Sequence, residues 1–588
     1  METWTQVINP FNNLGISALV SSIPILFLFF ALAIVKMKGH VAGLATLVIA
    51  NLVAIIAFQM PSGLAVYSSI YGAMTGLFPI GWIVITAVFL YQLTVKTGQF
   101  EIIKDSIASV TEDRRLQALL IAFSFGAFIE GAAGFGTPVA ITAAMLVGLG
   151  FNPLYAAGIC LIANTAPVAF GGIGIPIVTA GAVSGIDAHV IGQMVGRQLP
   201  FLSFFVPFWL VFIMSGWKGV KEVMPAILVS GGSFAIAQWF SASYMGPLLP
   251  DIISALVSII CLVLFLRVWK PKNIWRFPEE PPRTMQIKKH TAGEVLKAWS
   301  PFIILTIMIA DWGVNSVKAI LDKVTILIPM TGLDQAIIVG GEPMAVIYKF
   351  NWLSAAGTAI LLSAIITAFI LKIKPAQFLA IFFENLKNLR YALLTIASVL
   401  GFAFIANYSG MTPTLGKAFT VTGILFPFMS AFLGWVGVFI TGSDTSSNAL
   451  FGKMQLITAE SMDINPVLTV ATNSSGGVAA KMISPQSIAV ATASCGLVGR
   501  EAELFRFTFK HSIFFTVIIG IIAFLQAYVL EWMVPAVKMI TQEGGQAAAN
   551  AAGGGVTILA LTLLFILLLG LYANKQGRSL DKFNVSRG

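Results

Sequence analysis

Residues 128–138 read Phe128-Ile129-Glu130-Gly131-Ala132-Ala133-Gly134-Phe135-Gly136-Thr137-Pro138, and residues 439–448 read Phe439-Ile440-Thr441-Gly442-Ser443-Asp444-Thr445-Ser446-Ser447-Asn448. Each stretch opens on Phe-Ile and then turns from apolar residues to glycine, hydroxyl and carboxyl residues. Each lies inside a long apolar tract, 116–150 in the first case and 412–457 in the second. Bare backbone N–H and C=O groups are not tolerated in lipid, so a backbone that leaves the helix at membrane depth has to line a cavity or bind something. The two stretches therefore read as the interrupted centres of re-entrant hairpins.

The resemblance between the two tracts continues downstream in order. Asn152-Pro153 matches Asn465-Pro466. A polar break follows in each half, Asn164-Thr165 in one and Asn473-Ser474-Ser475 in the other. A proline then falls at the same spacing from the asparagine, Pro176 and Pro485, and Phe204-Phe205 is matched by Phe514-Phe515. Ordered coincidences of this kind indicate an internal duplication.

The rest of the chain is built to lie in a membrane. Of 588 residues, 57% are hydrophobic and only 10% charged, against about 25% charged in a soluble domain. The stretches 17–36, 41–60, 247–267, 352–371 and 556–574 are nearly free of charge. Each is about the length needed to cross a hydrocarbon core as a helix. A formal charge of +10 raises the question of nucleic acid, but the basic residues fall in short loops between apolar blocks, the positive-inside pattern. Lys36 and Lys38, the loop with Lys96, Lys104, Arg114 and Arg115, the linker 267–298, the loop from Lys372 to Arg390, the loop from Arg500 to Lys510 and the tail beyond Lys575 all read as cytoplasmic. The Gly/Ala-rich loop 543–555 reads as external. The absence of basic residues before the first apolar block argues for a retained helix with its N-terminus outside and against a removable signal peptide.

Counting the two hairpins as re-entrant gives an all-α integral membrane protein of about 13 crossings. The first repeat is 1–245, with its hairpin at about 116–150 and a broken helix at about 153–195. A connecting helix and cytoplasmic linker occupy 246–298. The second repeat is 299–588, with its hairpin at about 412–457 and a broken helix at about 466–498. The first repeat starts outside and the second inside, so the halves are inverted copies. Interrupted segments at matching positions of an inverted repeat mark a secondary transporter's binding site. Half-helix N-termini there offer free N–H groups and a positive dipole end to an anion.

The candidate substrate-binding residues follow from these motifs: Gly131, Gly134, Gly136, Thr137, Asn164, Thr165, Thr441, Gly442, Ser443, Asn448, Asn473, Ser474, Ser475 and Lys481. For the glycines, close helix packing is the competing reading; it does not account for the polar runs. Asp444 and Glu130 are the candidate proton-coupling groups, because a poorly solvated carboxyl readily holds a proton. Cys160, Cys261 and Cys495 are isolated, and the four histidines are scattered, so neither a disulfide framework nor a metal site is expected, and no cofactor.

At these motifs, and over nearly its whole length, the sequence resembles the lactate permease family. The resemblance rests on the run Glu130–Pro138, on Asn164-Thr165-Ala166-Pro167 with Phe170-Gly171-Gly172 and Gly174-Ile175-Pro176, and on Thr441–Asn448. It implies L-lactate uptake by proton symport, with D-lactate and glycolate as further substrates, across a bacterial-type plasma membrane. It leaves open an elevator-like movement and a homodimer. Other classes stay in view. The hydroxyl and amide oxygens of the two motifs suit a sodium-coupled carboxylate carrier as well. An integral membrane enzyme would need a metal cluster, nucleophile elbow or phosphate loop, and none is found; nor is a channel filter.

Overall fold

The computed structural model describes residues 3–134, 136–278, 288–313, 317 and 320–540. The apolar stretch 556–574, the loop 543–555 and the basic tail lie outside the described residues. Within them the chain is mostly helical. Ten helices are long and apolar enough to cross a membrane, or eleven if one bent pair is counted as a single span. Some of these runs hold more than one passage. Leu199–Tyr244 leaves helical geometry at Gly216, and Gly231 then packs on the Phe204 carbonyl while Ser203 bonds to Gln238, so the run folds back on itself.

The first hairpin descends through a π-helical stretch, Ala118–Phe125, into α1 (Gly126–Ala132) and returns as α2 (Thr137–Gly148). Gly134 and Gly136, at φ +59° and +80°, make the reversal, a backbone region open to glycine. A helix broken at its middle comes next: α3 (Pro153–Ala163), a 3-10 turn Val168–Phe170, and α4 (Gly171–Ser184), with a bend of 65°. After the folded-back run, α5 (Pro250–Val268) connects to the second half.

The second half repeats the pattern. Its hairpin arms are α6 (Phe426–Thr441) and α7 (Asp444–Glu460), reversing at Gly442 with φ +70°. Its broken helix is α8 (Pro466–Ala480), a 3-10 turn Lys481–Ile483, and α9 (Pro485–Ser494). Helix α10 (Glu501–Tyr528) follows. Both broken helices start the same way: Asn152 and Asn465 each cap the helix by accepting from the N–H two residues on, at 3.0 and 2.9 Å, with proline in the first turn. The paired phenylalanines also meet, Phe205 lying 6.2 Å from Phe514 and 6.4 Å from Phe515.

The hairpins enter from opposite ends of the bundle. At the base of the first, the Arg114 guanidinium lies 5.7 Å over Phe151, which packs on Phe277. Tyr155, just beyond, touches Phe507 near the start of α10. At the base of the second, the Tyr528 hydroxyl donates to the Ile424 carbonyl, and Asn465 donates to that of Pro535. Residues 507 and 528 belong to one helix and stand about 30 Å apart along it, close to the thickness of a hydrocarbon core.

The basic loops gather at the end from which the first hairpin enters. Lys96 pairs with Glu384 at 2.9 Å, Arg276 with Glu112 at 2.7 Å and His290 with Asp105 at 2.8 Å, and His40 stacks on Tyr391. A buried group anchors this end: Arg115 holds Asp113 and Glu222 at 2.8 and 2.7 Å, while Asp113 accepts from the Trp275 N–H. Two small sheets lie elsewhere. Strand β1 (Trp4–Thr5) runs parallel to β3 (Ile337–Val339), which pairs with β4 (Glu342–Pro343); β2 (Ile326–Pro329) pairs with β5 (Ile347–Phe350). The strands were not anticipated from the sequence. They tie the N-terminal segment to the loop after the span at 292–313.

Candidate functional site

Each hairpin carries its carboxyl into a notch left by a glycine of a broken helix. A Cβ on Gly171, at the start of α4, would lie 2.6 Å from Oε1 of Glu130. A Cβ on Gly477, in α8, would lie 2.6 Å from Oδ1 of Asp444. Both carboxyls are buried, at 4% and 3% exposure.

Asp444 is the more densely bonded. The Ser474 hydroxyl donates to its Oδ2 at 2.5 Å, and the Asn448 amide approaches the same oxygen at 3.5 Å. Its Oδ1 has no hydrogen-bond partner. Asn448 also donates to Ser474 Oγ and, across to the first half, to the Pro176 carbonyl at 3.1 Å. Asn473 donates to Asn448 Oδ1 at 2.9 Å and to Ser447, and its own Oδ1 accepts from Gln455 at 3.1 Å. Gln455 is bonded in turn to Ser430. This chain of amides holds α7 and α8 together and fixes the Asn448 side chain.

The Asn473-Ser474-Ser475 segment was expected to be a break in the helix. The structure corrects this: these residues lie inside the unbroken α8, and the backbone leaves helical geometry at Lys481–Ser484. The polar groups are absorbed by neighbouring side chains, so the helix needs no interruption there. The first half does break at Asn164, the C-cap of α3.

Around Glu130 the bonding is sparse. Its Oε2, both amide atoms of Asn164, and Thr165 Oγ1 are buried without hydrogen-bond partners, as is Ser475 Oγ. The Asn164 amide lies beside the Glu130 carboxyl, outside hydrogen-bond geometry. Lys481 is half-buried at the break of the second broken helix and donates to the Gly442 carbonyl at the hairpin tip at 2.7 Å.

The remaining motif residues shape the tips. Thr441 Oγ1 bonds to the Gly437 and Ser443 carbonyls and accepts from the Ser443 N–H; Ser443 caps α7 through the Ser446 N–H. Gly134 sits on the Gly172 backbone, Gly136 faces Val490 of α9, and Thr137 opens α2. Gly131 faces a residue the motifs did not single out, Asp251 of α5, which is 1% exposed and whose two oxygens have no hydrogen-bond partner. Among the described residues there is no group of three or more His, Cys, Asp or Glu side chains placed to hold a metal ion.

Residues 17–530 match the family model for L-lactate permease. The chain is 54% identical to the glycolate permease GlcA of Escherichia coli K12, over 91% of this chain and all of that one. It is 53% identical to an L-lactate permease of Salmonella typhimurium, over 91% of this chain and all of that one, and 54% identical to one of Bacillus subtilis, over 90% and all. Crossing helices, paired hairpins and these matches lead to one assignment: the chain is a multi-pass membrane transporter, not an enzyme, and belongs to the L-lactate permease family.

Proposed function

We propose that this protein imports L-lactate, with D-lactate and glycolate as further substrates, by proton symport across the bacterial plasma membrane. The observation that carries the reading is the seating of two buried hairpin carboxyls in notches left by glycines of the broken helices, with Lys481 held at the tip of the second hairpin. With Lys481 charged and both acids ionised, the cluster holds a net negative charge and repels a carboxylate. One proton makes it neutral and a second makes it positive, so an anion enters after a proton has been taken up. Burial of unpaired charge is costly enough to enforce this order.

In this reading Asp444 carries the coupled proton, since hydroxyl and amide groups around it serve either protonation state, and Glu130 is the second proton-holding group. Lys481 faces the substrate carboxylate. Asn164, Thr165 and Ser475, whose polar atoms are unpartnered, hydrogen-bond the substrate, while Asn448 and Asn473 position Asp444. The halves 1–245 and 299–588 are inverted copies joined by 246–298, and the end that gathers the basic loops faces the cytoplasm. The names of the relatives support lactate and glycolate as substrates.

The test is uptake of labelled lactate into proteoliposomes under an imposed pH gradient, with and without sodium. Accumulation that follows the proton gradient and ignores sodium supports the reading. Accumulation that requires sodium replaces the proton with a sodium ion, and recovery of chemically altered lactate overturns transport altogether.

A further inference from the structure

Among the buried acids, Asp251 belongs to neither hairpin. It stands in the first turn of α5, the helix that connects the two halves. A Cβ on Gly131 would come within 2.7 Å of the Asp251 Cβ, so the residue after Glu130 packs directly on Asp251 with no room for a side chain. Both Asp251 oxygens and Glu130 Oε2 are buried with no donor.

We infer that Asp251 and Glu130 form a carboxyl pair that holds one proton between them, so that Asp251 sets the pH at which Glu130 takes up and releases its proton. The inference rests on the proton-coupled reading above and extends it to a residue outside the duplicated motifs.

The groups that face the pair support this. The elements packed on α5 are α1, the π-helical stretch Ala118–Phe125, α4 and the folded-back run Leu199–Tyr244. Glu130 is the one titratable residue of the first three. The run carries Lys218, Lys221 and Glu222, but Glu222 bonds to Arg115, which also holds the Asn273 carbonyl beyond the far end of α5. Tyr244 of the same run is exposed. Neither Asp251 oxygen is bonded to a cation. Two adjacent carboxylates with no cation on one of them do not both ionise in a poorly solvated site. Their protons leave in two steps that belong to the pair. The step itself makes and breaks only O–H bonds: the proton enters with the substrate and leaves with it.

The experiment measures initial lactate uptake in proteoliposomes as a function of external pH for the wild type, D251N, E130Q and the double variant. Removing one acid of the pair removes the repulsion that favoured proton retention. The midpoint of the D251N profile is therefore expected to move toward acid by about one pH unit, whatever the maximal rate, and the double variant to follow E130Q with no further shift. A residue with a purely structural role lowers the rate without moving the midpoint. Difference infrared spectroscopy gives a second readout, a protonated-carboxyl band that D251N removes; D251S serves if D251N does not assemble. A D251N profile that superimposes on a pH-dependent wild type overturns the pair alone. A wild type with no pH dependence overturns the proton reading first.

Discussion

Asp444 occupies the space that a side chain on Gly477 would fill, a Cβ there falling 2.6 Å from the carboxyl oxygen Oδ1 and 2.7 Å from Val438. Gly477→Ala should therefore force the carboxyl out of its seat. Overpacking of this kind costs about 1–3 kcal/mol, and a lower melting temperature in detergent together with reduced uptake is the expected result. Gly171→Ala makes the matching test at Glu130.

Asn473 acts through other residues. Its amide bonds to Asn448 and Gln455 are all internal. Asn473→Ala leaves the buried Asn448 Oδ1 without its donor and takes one of two acceptors from the Gln455 amide, a loss on the order of 1–3 kcal/mol, read as a fall in thermal stability. Ser475→Ala should cost little stability, since its hydroxyl has no partner to lose, and should instead raise the KM for lactate. Equal effects of the two changes on KM would contradict this division of roles.

Arg115 is fully buried between Asp113 and Glu222. Arg115→Ala leaves Asp113 buried and uncompensated, which costs about 3–5 kcal/mol. The variant should melt markedly earlier than Lys96→Ala, whose exposed pair with Glu384 is worth less than about 1 kcal/mol.

Much of this arrangement was legible in the sequence because bilayer length and backbone satisfaction constrain a membrane chain so tightly. The apolar blocks at 17–36, 41–60 and 247–267 reappear as Leu14–Leu32, Gly39–Ile56 and Pro250–Val268. The hairpin tips were marked by Gly134, Gly136 and Gly442, where positive φ is required. What could not be read was the satisfaction of polar groups by distant partners. Asn473-Ser474-Ser475 looked like a break because its partners, Asn448, Gln455 and Asp444, lie 18 to 30 residues away. Asp251 was not singled out, because it lies outside the duplicated motifs and its packing on Gly131 is visible only in the fold. The strands at 326–350 went unseen because their short pairings depend on residues as remote as Trp4.

Orientation has a direct check. Lys272 and Lys349 are both exposed, the first in the basic loop region and the second on strand β5. In intact cells a cysteine at Lys349 should react with an impermeant thiol reagent and one at Lys272 should not. The reverse pattern would invert the membrane orientation proposed above.

The central claim is that a proton held by the hairpin acids accompanies lactate, with Asp444 the first of them. Lactate arrives as an anion, and carrying it alone into a negative interior costs about 2.3 kcal/mol per 100 mV. A proton on Asp444 cancels that charge and adds the pH gradient as a driving force. The decisive measurement compares pH-gradient-driven lactate accumulation with lactate–lactate exchange for Asp444→Asn in proteoliposomes, alongside Glu130→Gln. Asp444→Asn should abolish accumulation while exchange persists, because exchange moves no net proton; if both variants concentrate lactate at the wild-type rate, the proton travels elsewhere and neither hairpin acid couples it.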